Sequence, residues 1–204
     1  MSTPTTRADR PLVLASTSPR RRDLLAAYGY PAKVAPAAVD ESEAAWLSVR
    51  ELTLLNAVRK SRAGRGPFPA RAVVLGVDTL VALDGRAFGK PRDRAEAAAM
   101  VARLSGRTHQ VFTGVALYEP DQGRGTSFVE ETRVTFLPLD AGQITAYHAL
   151  INPLDKAGAY AAQEHGERII ARVEGSWTNV MGLPMERLGE VLARDYGILP
   201  AGKV

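Results

Sequence analysis

The chain has 204 residues, 46% of them apolar and 24% charged, with a formal net charge of +4 and no cysteine. Such a composition excludes global disorder, and the missing cysteines exclude disulfides, thiolate zinc sites and cysteine nucleophiles together. The basic residues are scattered rather than gathered in one block, so the charge fits a pocket for a small polyanion and gives no polybasic tail for nucleic acid.

No apolar run approaches the roughly 18 residues of a membrane helix. Met1 to Arg10 lacks the apolar centre of a signal peptide. The expectation is a loose tail over residues 1–10, one domain over 11–204, a cytoplasmic location and no membrane partner.

In chain order, Leu12 to Ala15 is predicted as a short buried strand. Ser18 then caps a helix with Pro19 at its first position, and Gly29 ends that helix. Val34 to Val39 is predicted as a second strand. A long helix is expected over Ser42 to Ala63, with Leu47, Leu54, Leu55 and Val58 inward and Gly64 to Pro69 as its breaker. Ala72 to Leu83 is the strongest strand, closed by the turn signal Asp84-Gly85.

Asp93 to Leu104 is a helix with a capping-box-like start at Asp93 and Glu96. Val111 to Tyr118 and Phe128 to Leu137 read as an antiparallel pair. A short helix over Asp140 to Leu150, a strand over Arg168 to Val173 and a last helix over Leu183 to Tyr196 complete the chain. The mixture of alternating units and hairpins predicts an α/β fold with a mixed sheet.

Several residues stand out chemically. Arg20, Arg21 and Arg22 occupy the first turn of a helix, where each surface cation costs about 0.3–1 kcal/mol against the dipole. They either decorate a solvated helix start or face an anion, in which case free backbone N–H groups and the hydroxyls of Ser16 and Ser18 would join them. Asp78 lies in an apolar strand, where a carboxylate needs local donors, a cation or a metal. Asp40 and Glu41 are a helix-start charge pair or, with Asp78, a site for Mg²⁺.

Lys60 on the long helix and Lys90 each read alone as surface lysines, although Gly89 and Pro91 fix the backbone around Lys90. Gln163 is a loop residue or a reader of a base edge. His109 before a strand reads as structural. No Ser/His/Asp order, metal-binding His spacing or Walker pattern is present.

These pieces occur in a recognisable order. Leu14-Ala15-Ser16-Thr17-Ser18-Pro19-Arg20-Arg21-Arg22 resembles the N-terminal signature of the Maf family. Gly76-Val77-Asp78-Thr79, Gly89-Lys90-Pro91, Leu104 to His109 and Thr113-Gly114-Val115 resemble its middle blocks. Asp155 to Tyr160 with Gln163, Gly175-Ser176 and Val180 to Pro184 resemble its C-terminal blocks, so the likeness spans about residues 12 to 192.

The resemblance implies a fold related to the inosine triphosphate pyrophosphatases, an elongated mixed sheet with a central cleft between two lobes. It implies release of pyrophosphate from a nucleoside triphosphate, a divalent cation (Mg, Mn or Co), a homodimer and a link to septum formation. Asp78-Thr79 and the segment Lys156 to Gln163 resemble the dTTP/UTP subgroup rather than the 7-methyl-GTP subgroup. Position by position it implies Asp78 as proton acceptor and Glu41 as catalytic or metal-binding acid. Arg20, Arg21, Lys60 and Lys90 would lie near the phosphates, and Arg20, Thr79 and Gln163 would govern substrate choice.

Val77, the stretch Ala161 to Glu164 and Trp177 depart from the commoner family residues, which bears on base tolerance. The rival readings are a 7-methyl-GTP pyrophosphatase and a division-linked nucleotide- or DNA-binding protein without catalysis. The second would show steeply salt-dependent binding.

Overall fold

The 11-residue strand Val73–Leu83 (β3) is the axis of the computed structural model, which describes residues 10–37, 39, 44, 46–63, 68 and 71–201. It sits in a seven-stranded mixed sheet. Leu12–Leu14 (β1) runs parallel to it, and Ala32–Val34 (β2) lies parallel to β1 at the edge. On the other side Thr108–Glu119 (β5), Arg124–Phe136 (β6) and Ile170–Glu174 (β7) follow in antiparallel order. Arg86–Phe88 (β4) folds back on β3 through Asp84 and Gly85, both with positive φ. This is the mixed α/β arrangement that the sequence implies.

Helices Pro19–Ala27 (α1), Val49–Ala63 (α2), Arg94–Leu104 (α3), Ala141–His148 (α4), Trp177–Val180 (α5) and Met185–Val191 (α6) flank the sheet. The turns after α6, over Leu192–Tyr196, widen to π geometry. Gly29, at φ 80°, ends α1 as expected. Asp93 caps α3 by accepting from the Glu96 N–H. The Glu96 carboxylate reaches back to the N–H of Arg92 rather than closing the box on Asp93.

Two apolar clusters occupy the two ends of the long strands. One joins Leu75, Val77, Val115 and Leu117 to α1 and α6. The other joins Val81, Val111, Val134 and Phe136 to α3 and α4. Between them lies a polar band of buried Asp78, Thr113, Thr132 and Asn179.

Several expected boundaries move. The second strand is Ala32–Val34, not Val34 to Val39, because it pairs with β1 only as far as Leu14. The long helix starts at Val49, with Ser48 and Glu51 bonded across its first turn; of the expected residues before it, 44 and 46–48 are not helical. The last helix starts at Met185, after Pro184. Strand β5 is longer than expected at both ends, and β6 starts four residues earlier at the turn, at Arg124, and stops at Phe136.

The inward face of α2 is the main correction. Its buried residues are Val49, Thr53, Asn56, Ala57 and Ser61, whereas Leu55 is 38% exposed and Leu47, Leu54 and Val58 are half-buried. The cause is a close approach of backbone to backbone. A Cβ on Gly76 would fall 2.2 Å from the Ala57 carbonyl oxygen, and one on Gly114 would fall 2.3 Å from that of Thr53. Leucine has no room at such a contact, so small and polar side chains fill it.

Candidate functional site

The neighbours of β3 change along its free edge. Residues 73–75 pair with β1 and 81–83 with β4, while 74–82 pair with β5 on the other side. Between β1 and β4, residues 76–80 therefore have no strand beside them among the described residues. A cleft opens there, and successive side chains point to opposite faces of the sheet. Asp78 turns toward α2, and Thr79 turns toward α1 and the loop after α5.

Asp78 is 4% exposed. Lys60 donates to its Oδ1 at 2.7 Å, and Asn56 donates to its Oδ2 at 3.4 Å. Both donors sit on α2 one turn apart, at spacing i, i+4. The glycine contacts that bring α2 onto the sheet thus deliver a cation and an amide to one carboxylate. A buried carboxylate without such partners would be strongly unfavourable.

On the other face, the guanidinium of Arg21 donates to four acceptors among the described residues. They are Ser16 Oγ (3.2 Å), the Val77 carbonyl (3.1 Å), Thr79 Oγ1 (2.9 Å) and the Gly182 carbonyl (3.0 Å). Thr79 Oγ1 also lies 3.1 Å from Thr113 Oγ1. Gly182 has φ 104°, a conformation that strains any other residue.

The cleft encloses a cavity of about 370 Å³. Ser16, Ser18, Arg20, Arg21, Lys60, Asp78, Thr79, Lys90 and Gln163 all line it. Nine of the ten sequence-predicted site residues therefore meet in one place; the tenth, Glu41, lies outside the described residues. Ser18 caps α1 without a side-chain cap bond, and its N–H donates to Ser16 Oγ. Lys90 and Gln163 are exposed, and the Gln163 amide donates to Glu164 at 3.1 Å.

Asp155, absent from the predicted set, joins the two sides of the cleft. Its backbone carbonyl accepts from Arg20 at 3.2 Å, its carboxylate lies 3.6 Å from the same guanidinium, and Lys156 donates to it at 2.9 Å. Burial raises the pKa of this carboxyl, but Lys156 and then Arg20 outweigh it and leave it below its ordinary value. Asn56 and Thr113 were also missed. The i, i+4 spacing of Asn56 and Lys60 was the available signal; Thr113 gave none. His109 is structural: it is fully buried against Phe136 and Tyr160, with Nε2 2.9 Å from the Tyr160 hydroxyl.

A cavity with one buried acid, several cations and a helix N-terminus on its wall defines an α/β protein built to hold a small polyanion next to a carboxylate. The chain belongs to the Maf family: residues 11–195 match the family described as Maf-like protein. It is 46% identical to the dTTP/UTP pyrophosphatase of Symbiobacterium thermophilum over 192 residues, 94% of this chain and 97% of the relative. It is 47% identical to the dTTP/UTP pyrophosphatase of Moorella thermoacetica over 193 residues, 95% and 98% of the two chains. Among solved structures, the Staphylococcus aureus Ham1 protein aligns with TM-score 0.42 and 18% identity, covering 62% of this chain and 72% of that one.

Proposed function

We propose that this chain hydrolyses dTTP and UTP to the monophosphate and pyrophosphate. The observation that carries the reading is the buried Asp78–Lys60 pair on the wall of a cavity that Arg20 and Lys90 also line. The names of the Symbiobacterium and Moorella relatives, matched over nearly their whole length, supply the substrate class.

In this reading water attacks the α-phosphorus. The new bond is water oxygen to α-phosphorus, and the bond that breaks joins that phosphorus to the α,β-bridging oxygen. Asp78 accepts the water proton, and pyrophosphate leaves with the bonding electrons. Lys60 balances the Asp78 charge before the reaction. Arg20, Lys90 and the N–H groups of α1 face the triphosphate and the charge that grows on the leaving group.

Thr79 and Gln163 select the base. A base that covers their polar atoms without pairing them is disfavoured.

The family resemblance also implies a divalent ion. On the cavity wall Asp78 has the hard oxygen donors that Mg²⁺, Mn²⁺ or Co²⁺ would take, together with phosphate oxygens of the substrate. Glu41, the second acid that the resemblance gives to this ion, lies outside the described residues. Bound at Asp78, the ion would neutralise phosphate charge and acidify water.

Homodimerisation, a cytoplasmic location and a tie to septum formation accompany this reading as family expectations. No helix among the described residues is long and apolar enough to cross a membrane.

The test is pyrophosphate release from dTTP, UTP, CTP, GTP and 7-methyl-GTP with each of the three metals. Release from dTTP and UTP supports the proposal. Release from 7-methyl-GTP alone overturns the substrate class and keeps the chemistry, and silence on every nucleotide from folded protein overturns both.

A further inference from the structure

Arg21 is one of the cations that the sequence assigns to the substrate phosphates, and its surroundings fit a different task. Among the described residues its guanidinium donates four hydrogen bonds, two to hydroxyls and two to backbone carbonyls. Those acceptors come from three separate segments: the loop after β1 (Ser16), the bare stretch of β3 (Val77 and Thr79) and the loop after α5 (Gly182). Val77 and Thr79 flank Asp78 in sequence.

The bare stretch of β3 explains why such a clamp is needed. A buried backbone carbonyl without a donor costs roughly 1–3 kcal/mol, and at residues 76–80 neither β1 nor β4 supplies a strand donor. Arg21 supplies one to Val77 through its side chain. The same planar group fixes the Thr79 hydroxyl and, through Gly182, closes the opposite wall of the cavity. Lysine is a point charge on a flexible stem and cannot span these acceptors.

We propose that Arg21 is a positioning residue. It completes the open edge of β3, holds Asp78 and Thr79 in register across the cleft, and leaves direct phosphate contact to Arg20, Lys90 and the start of α1. The inference rests on the proposed pyrophosphatase reading.

The deciding variant is Arg21→Lys, which keeps the charge and removes the clamp, with circular dichroism as the check on folding. Two quantities are read: kcat and KM for dTTP, and the affinity for inorganic tripolyphosphate by calorimetry, which needs no turnover. The expected result is a kcat loss of roughly 100-fold, the size that a displacement of about 1 Å produces, with tripolyphosphate affinity held within about twofold. A loss of tripolyphosphate affinity of about tenfold or more identifies Arg21 as a phosphate ligand and overturns the proposal. So does retention of kcat within a few-fold.

Should the lysine variant fail to fold, Gly182→Ala decides, since it disturbs one acceptor through its backbone (φ 104°) and leaves every cation in place. It must lower kcat without weakening tripolyphosphate; an unchanged kcat overturns the clamp. Wild-type protein without turnover on any nucleotide refutes the pyrophosphatase reading instead. The tripolyphosphate comparison then still decides whether Arg21 touches phosphate.

Discussion

Lys60 Nζ lies 2.7 Å from Asp78 Oδ1, and both side chains are largely shielded from water, at 12% and 5% exposure. Asp78→Asn removes the proton acceptor and is expected to lower turnover of dTTP by roughly 10²–10⁴-fold, with the protein still folded because Lys60 retains some access to solvent. Lys60→Met leaves the carboxylate without its cation. Losing one partner of a buried pair costs about 3–5 kcal/mol, and the lower end applies here. Urea unfolding of the two variants checks the ordering: the lysine variant should be the less stable.

Gly114 fixes the height of α2 above the sheet. A Cβ there would meet the Thr53 carbonyl at 2.3 Å and the Leu54 nitrogen at 2.8 Å, both of them backbone atoms that cannot step aside. Gly114→Ala is expected to destabilise the fold by about 3 kcal/mol and to lower kcat by moving Lys60 and Asn56 away from Asp78. Gly89→Ala is the control for stability, because nothing lies within 4 Å of its Cβ position. Equal unfolding midpoints for the two variants would contradict the close-approach account.

His109 gives the fold a pH dependence. Desolvation lowers its pKa from 6.5 to about 4, so between these values the unfolded chain binds a proton that the folded chain refuses. Its contribution is complete above pH 6.5 and is lost as pH falls toward 4, in total on the order of 3 kcal/mol. Unfolding free energies at pH 7 and pH 5 should differ in wild type, and His109→Gln should flatten that slope. An equally steep slope in the variant would place the titration elsewhere.

Asp155 holds Arg20 before any substrate arrives, in a partly exposed pair at 3.6 Å. A phosphate must share or displace that contact. Exposed pairs are worth about 0.2–1 kcal/mol, so Asp155→Asn is expected to lower KM for dTTP by up to about fivefold. An increase in KM would mean that Asp155 aims Arg20 at the substrate rather than competing with it.

The sequence made some parts of this molecule legible and hid others, for physical reasons. Strand β3, the Ser18-Pro19 helix start and the Gly29 stop were readable because local chemistry dictates them. The orientation of α2 was not. Its leucines suggest an inward apolar stripe, but the packed face is set by two glycines on other strands, which periodicity within the helix cannot report. The capping box of α4, Asp140 with Gln143, is a local pattern of the kind that sequence carries.

In the site, Asp78 was found because a carboxylate in an apolar strand violates a strong rule. Asn56, Thr113 and Asp155 violate none and acquire meaning only through tertiary contacts. Arg21 was found for its charge, although its geometry is that of a clamp.

The central claim is that water attacks the α-phosphorus of a pyrimidine nucleoside triphosphate in this cavity. Its most direct test is hydrolysis of dTTP in oxygen-18 water, with the label located by mass spectrometry. The account predicts label in dTMP and unlabelled pyrophosphate. Label in pyrophosphate, or release of orthophosphate with dTDP, would contradict it.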